Sequence, residues 1–271
     1  MRHIKKGDTL QKAFDIRPGE VISLTGGGGK TTLMFAMAKD LSAPGGLVIT
    51  TCTTKMYPPS DLDTPHLFIS RDEDDIIDHI RRYGKTFGHM CLARETDHST
   101  GKLKGLDPAV VTRLSQLEQV SYTIVEADGA AKRPLKAPDI RYEPVIPQSS
   151  SLIIPVAGMD GLGETLEERV VFRAGIASRL TETPLGEVVS AGMIATLMTH
   201  PQGLTHGGPE TARIIPFLNK TDLPRGLTNG RELACRILDA GRPRVERVVT
   251  GHARQAPVVE EIIDQGDAPV F

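Results

Sequence analysis

An unbroken glycine run, "TGGGGKTT" at residues 25–32, constrains this 271-residue chain more than any other feature. It follows the apolar, β-branched stretch "EVISLT" (20–25) and precedes "LMFAMAKDL" (33–41), whose apolar spacing is helical. Strand, glycine turn and helix in that order are what a phosphate-binding loop needs. Glycines let successive N–H groups turn inward without Cβ clashes, and the helix N-terminus adds partial positive charge. Gly26, Gly27, Gly28 and Gly29 are therefore candidate phosphate contacts. Lys30 would reach the outer phosphates and Thr31 would ligand Mg²⁺, with Thr32 beside them. A merely flexible turn would need no lysine and threonines at this point.

Elsewhere the pattern alternates strands with helices. Strands are expected at 47–54, 66–70, 121–130, 151–158, 213–219 and, last in the chain, 244–251. A strand and hairpin turn are expected across "GHMCLARE" and "DHSTGKLKG". Helices are expected at 72–83, from Asp107-Pro108 to about 119, and at 165–180, 185–198 and 227–238. Pro44-Gly45-Gly46 should stop the helix after the glycine loop, and the proline-rich 132–147 excludes a long helix or central strand. The expected class is α/β, P-loop NTPase-like, with a mostly parallel central sheet and helices on both faces. One nucleotide-binding domain spanning 1–271 is expected, with room for a small inserted lobe around 159–210.

Composition narrows the function. Lys and Arg number 32 against 34 Asp and Glu, a net charge of −2, so nothing favours a nucleic-acid or membrane-surface partner. Cys52, Cys91 and Cys235 are far apart with no CxxC pair, which reads as three reduced thiols. No apolar run approaches the ~18 residues of a membrane span. "MRHIKKGDTLQKAF" lacks the apolar run of a signal peptide, so a soluble cytoplasmic protein is expected.

Two further motifs complete a nucleotide site. "TIVEADGA" delivers Glu126 and Asp128 beside Gly129 at a strand end, where P-loop enzymes place the acid that holds Mg²⁺. Asp128 is assigned to the Mg²⁺ shell and Glu126 to orienting water, with Lys30, Glu126 and Asp128 as the catalytic group. "LNKTD" places Asn219, Lys220 and Asp222 after an apolar strand, matching the N-K-x-D guanine motif. Its carboxylate accepts from guanine N1–H and N2–H₂; adenine offers no such pair. Weaker candidates are Lys55 in "TTCTTKM", His200 and His206 around a glycine-rich loop, Asp160 in "GMDGLG", and Lys132, Arg133 and Lys136 after the acids. Each of these also reads as an ordinary turn or solvated face.

The loop is similar to the T-G-x-x-G-K-T-T loop of Mur-type ligases. It also resembles the deviant loop of SIMIBI-class NTPases, with Thr25 where their signature lysine stands. Taken in order, "SLTGGGGKTTLMFAMA", "TTCTTKMYPP", "VEADGAAKRPLKAPDIRYEPVIP", "PVAGMDGLGETL", "HPQGL" and "NKTD" resemble the YqeC family of selenium-dependent hydroxylase accessory proteins. The resemblance implies a SIMIBI-like nucleotide-binding domain that serves maturation of a molybdenum hydroxylase or its cofactor. The resulting expectation is a slow NTPase using GTP or ATP with Mg²⁺, GTP being favoured by "NKTD". A molybdenum hydroxylase or its maturation proteins would be partners, and a homodimer is one option for the working unit. The rival expectation is an ATP-dependent small-molecule kinase or Mur-like ligase acting on a cofactor precursor.

Overall fold

The computed structural model describes residues 9–42, 46–256 and 258–267. The N-terminal residues 1–8 and the expected helix stop at Pro44-Gly45 lie outside the described residues.

The main sheet contains β1 (Val21–Gly26), β2 (Leu47–Cys52), β3 (Leu67–Ile69), β4 (His89–Ala93), β5 (Val120–Glu126), β6 (Ser150–Gly158), β7 (Phe217–Asn219), β8 (Arg247–Gly251) and β9 (Val259–Asp264). Their spatial order is β9-β8-β7-β6-β1-β5-β2-β4-β3, with the short strand Arg213–Ile214 also pairing with β6. Every neighbouring pair along that path is parallel except β8 with β9. β1 lies between β5 and β6, so the chain leaves it toward one sheet edge and later returns to build the other. Open α/β sheets bind ligands outside the carboxyl ends of strands at such a reversal.

Side-chain alternation fills both faces. Ile22 and Leu24 of β1, with Leu152, Ile154 and Val156 of β6, face α1 (Lys30–Leu41). Ile153 and Ala157 point the other way, to a core shared with α5 (Ala191–Thr199) and α6 (Gly226–Ala240). Val21, Ile49 and Val125 meet α2 (Glu73–Phe87) and α3 (Pro108–Ser115) on that same opposite face. The fold is therefore mixed α/β with a mostly parallel central sheet and helices on both sides. Asp72 caps α2 by accepting the Asp74 N–H at 2.8 Å, and Gly88 ends it in a left-handed turn. Asp107 caps α3 through the Ala109 N–H at 2.8 Å. Among the described residues no helix is long and apolar enough to cross a membrane.

Several expectations fail locally. The helix expected at 165–180 is confined to α4 (Ala174–Thr181), because Val171–Phe172 is instead a short strand beside Leu135–Lys136. Glu168 fixes the later start by accepting the Arg173 and Ala174 N–H groups at 3.0 and 2.8 Å. The helix expected at 185–198 begins at Ala191, where the Ser190 hydroxyl caps it. α3 ends at Ser115 rather than near 119. The strand expected at 213–219 is interrupted at Ile215-Pro216, proline having no N–H to give the ladder. β8 is followed by the antiparallel edge strand β9.

Candidate functional site

β1 ends in the glycine loop at the middle of the carboxyl edge. Gly28 has φ 74°, and a Cβ there would strike the Gly158 backbone. Neighbouring segments hold the loop: Gly26 N–H donates to Asp128 Oδ2 (3.0 Å), Gly27 N–H to the Val156 carbonyl (3.0 Å) and Gly28 N–H to the Arg133 carbonyl (2.9 Å). The N–H groups of Lys30, Thr31 and Thr32 have no such partner among the described residues. They form the first turn of α1, where orphan donors and the helix dipole favour an anion.

A closed charge cluster lies behind the loop. Lys30 is buried, its Nζ donating to the Gly26 carbonyl at 2.5 Å and standing 3.1 Å from Asp128 and 3.7 Å from Glu126. Asp128 also lies 3.2 Å from Lys136 Nζ. Lys136 is fully enclosed and donates to the Gly129 carbonyl at 2.5 Å and to Glu143, which in turn pairs with Arg173. Three cations thus face three carboxylates, and the cluster is neutral within itself. Burial alone would lower the Lys30 pKa, but Asp128 and Glu126 outweigh it and raise it. For Glu126 burial dominates over Lys30 and the Thr31 hydrogen bond, so its carboxyl is pushed above the usual range.

Each expected site residue has a definite place. Thr31 donates its hydroxyl to Glu126 at 2.6 Å rather than to Asp128. Asp128 Oδ1 is buried and faces the Lys30 ammonium at 3.1 Å. Asn219 is buried and joins three segments: its Nδ2 donates to the Gly28 carbonyl (2.7 Å), and its Oδ1 accepts the Lys220 and Ala253 N–H groups (2.9 Å each). The "NKTD" loop therefore abuts the glycine loop. Lys220 reaches Asp160 at 2.5 Å. Asp222 is exposed, with no side-chain partner among the described residues.

The weaker candidates separate. Lys55 pairs with Asp97 at 2.7 Å, so its charge is already matched. His200 accepts the Gln202 N–H at 3.0 Å, and His206 sits 3.1 Å from the Pro201 carbonyl, both as turn contacts. No cluster of metal-ligating side chains occurs among the described residues. The three thiols are free and buried. Of the three basic residues after the acids, Lys136 enters the buried cluster and Arg133 binds the Glu168 and Ala131 carbonyls. Lys132 stands over the Tyr57 ring. Glu143 and Arg173 escape sequence reasoning: an acid inside "RYEP" and an arginine far downstream carry no local signal of their pairing.

The profile of the YqeC protein family matches residues 22–175, more than half of the chain. An uncharacterized protein of Escherichia coli (strain K12), YqeC, is 32% identical over 200 residues, covering 74% of this chain and 75% of that protein.

Proposed function

The chain belongs to the YqeC family, and from that premise we propose that it is a P-loop, SIMIBI-like protein that binds GTP in preference to ATP with Mg²⁺. It would turn nucleotide over slowly as an accessory in maturing a selenium-dependent molybdenum hydroxylase in the cytoplasm. One observation carries the reading: Lys30 heads α1 directly after the glycine loop, with its ammonium against Asp128 and the Thr31 hydroxyl on Glu126. That is a basic, hydroxyl and acidic set at the end of the strand and the start of the helix, where a polyphosphate and its metal are held.

The donor set suits Mg²⁺, a hard cation that takes oxygen ligands and keeps several waters. Thr31 and Glu126 would hold it, and Asp128 Oδ1, once Lys30 has turned from it to the phosphates, would accept from its water. The bonds favour Glu126 over Asp128 for the direct position, which exchanges the two roles expected from sequence. When bound, Mg²⁺ supplies neutralising charge beside the outer phosphates. That charge matters here because the resident cluster is already balanced. Lys30 would exchange Asp128 and the Gly26 carbonyl for the phosphates, leaving Lys136 as the cation on Asp128. The pull then passes along Lys136 to Glu143 and Arg173, giving the segment 129–143 two arrangements, as switch segments require.

At the other end, Asn219 fixes the "NKTD" loop to Gly28, and the free carboxylate of Asp222 would read the guanine edge. Equilibrium binding of a GTP analogue, with and without Mg²⁺, tests the reading beside Thr31→Ala. The expected result is Mg²⁺-dependent binding in the parent chain and loss of that dependence in the variant. Binding indifferent to Mg²⁺ in both would contradict it. The accessory role is tested by adding the nucleotide-loaded chain to an immature selenium-dependent molybdenum hydroxylase. Activity should rise, and an unchanged enzyme would count against the role.

A further inference from the structure

The hairpin after β4 sets four lysines near one another and pairs only two of them. Lys55–Met56 runs antiparallel to Lys102–Lys104, which also pairs with Glu95–Asp97. Lys55 is matched by Asp97 and Lys104 by Glu95, each at 2.7 Å. Lys102 has no carboxylate partner among the described residues; its ammonium stands 4.8 Å from the centroid of the Tyr57 ring. Lys132, from the loop after the acidic strand end, stands at the same distance from that ring and also has no carboxylate partner among the described residues. Two chain segments thus bring two uncompensated ammonium groups to one aromatic ring. The ring is half exposed, and its hydroxyl has no hydrogen-bond partner among the described residues.

The location adds meaning. Arg133, next to Lys132, accepts the Gly28 N–H, and Thr53, four residues before Tyr57, donates its N–H to the Glu126 carbonyl at 3.2 Å. Tyr57 and Lys132 therefore flank the glycine loop and the acids at the carboxyl edge. We propose that Tyr57, Lys102 and Lys132 form a second binding site, distinct from the nucleotide's, for a small phosphate monoester carrying an unsaturated ring. The two ammonium groups and the Tyr57 hydroxyl bind the phosphate, and the Tyr57 ring supplies a stacking surface. A triphosphate seated on α1 has no use for that apolar face, which favours a second molecule. Only the statement that the site adjoins a nucleotide rests on the function proposed above.

The chain contains no tryptophan, so Tyr57→Trp places a single reporter in the site. The full chain carrying it is titrated with phenyl phosphate, first without nucleotide and then with a saturating non-hydrolysable GTP analogue and Mg²⁺. Benzoate is titrated in parallel. The expected result is a saturable emission change with phenyl phosphate that persists with nucleotide bound. It should weaken at least about tenfold when Lys102→Ala and Lys132→Ala are added, and benzoate should bind more weakly. Calorimetry of the unsubstituted chain, which keeps the Tyr57 hydroxyl, should show phenyl phosphate binding at least as tightly as in the reporter variant. No saturable binding in either format, or binding unaltered by losing both lysines, would overturn the site. Displacement of phenyl phosphate by the nucleotide analogue would show that the lysines serve the nucleotide's own phosphate. Equal binding of benzoate would overturn the phosphate class. Phenyl phosphate bound by a chain that binds no nucleotide would sink the nucleotide reading and leave this site standing.

Discussion

The two ends of the carboxyl edge, proposed above as the phosphate end and the base end, are built on opposite principles. At the phosphate end Lys30, Glu126, Asp128, Lys136 and Glu143 are buried and answer one another's charges. At the base end Asn219 and the uncharged Thr221 are buried, while Lys220 sits in a half-exposed pair with Asp160 and Asp222 stands free in solvent. A buried charge loses its hydration whether or not a ligand is present, so removing one partner harms the fold itself. An exposed carboxylate without partners contributes little to the fold and is free to report on ligand choice. Stability and specificity should therefore separate along this edge.

The sharpest way to break that comparison is Lys136→Met. It removes the cation shared by Asp128 and Glu143, leaving three buried carboxylates to two cations, and should cost about 3–5 kcal/mol in urea unfolding. A loss below about 1 kcal/mol would mean the cluster is not a closed unit. Lys30→Ala should weaken GTP-analogue binding by about ten- to a hundredfold, the worth of one charge-assisted contact to phosphate. Unaltered affinity by calorimetry would remove Lys30 from the phosphate site. Asn219→Ala leaves the Gly28 carbonyl and the Lys220 and Ala253 N–H groups without their side-chain partner, and should destabilise by about 1–3 kcal/mol. Because it joins the two ends, nucleotide affinity should fall with stability; a fall in only one would show the ends to be independent.

How far the sequence revealed this edge follows from the range of each interaction. The glycine loop, β1, the start of α1 and the acidic strand end were legible because their signals are local: apolar runs, turn residues and helix spacing. Asn219 was singled out for the base, yet its bonds run to the glycine loop and to Ala253, which no spacing discloses. Lys136 looked like its exposed neighbour Lys132, since burial depends on Glu143 and Asp128 folding around it. The charged stretch "VEEIID" did not read as a strand because its apolar residues do not alternate: Val259 and Ile262 pack on one face of the sheet and Ile263 on the other, with two acids between. Near 167–173 a helix was expected, but pairing of Val171–Phe172 with Leu135–Lys136 prevailed over local propensity.

A smaller effect concerns pH. Burial raises the Glu126 pKa, so the protonated form is favoured in the fold. Its contribution to stability is full below the ordinary value of 4.5 and is lost as pH rises through the raised folded value. Glu126→Gln should flatten that decline in the metal-free chain and weaken Mg²⁺-dependent nucleotide binding. Denaturant midpoints across pH check the first, and an unchanged slope would show that Glu126 is not responsible for it.

The least disruptive substitution is the most informative. Asp222→Ala should change stability by no more than about 0.5 kcal/mol, as expected at an exposed position without partners. Calorimetric titration of the chain and of Asp222→Ala with GTP and ATP analogues in Mg²⁺ is therefore the most direct test of the proposed function. The expected result is tighter GTP binding that falls to parity with ATP in the variant. Equal or tighter ATP binding, unmoved by Asp222→Ala, would contradict the guanine reading and bring forward the ATP-dependent kinase or ligase.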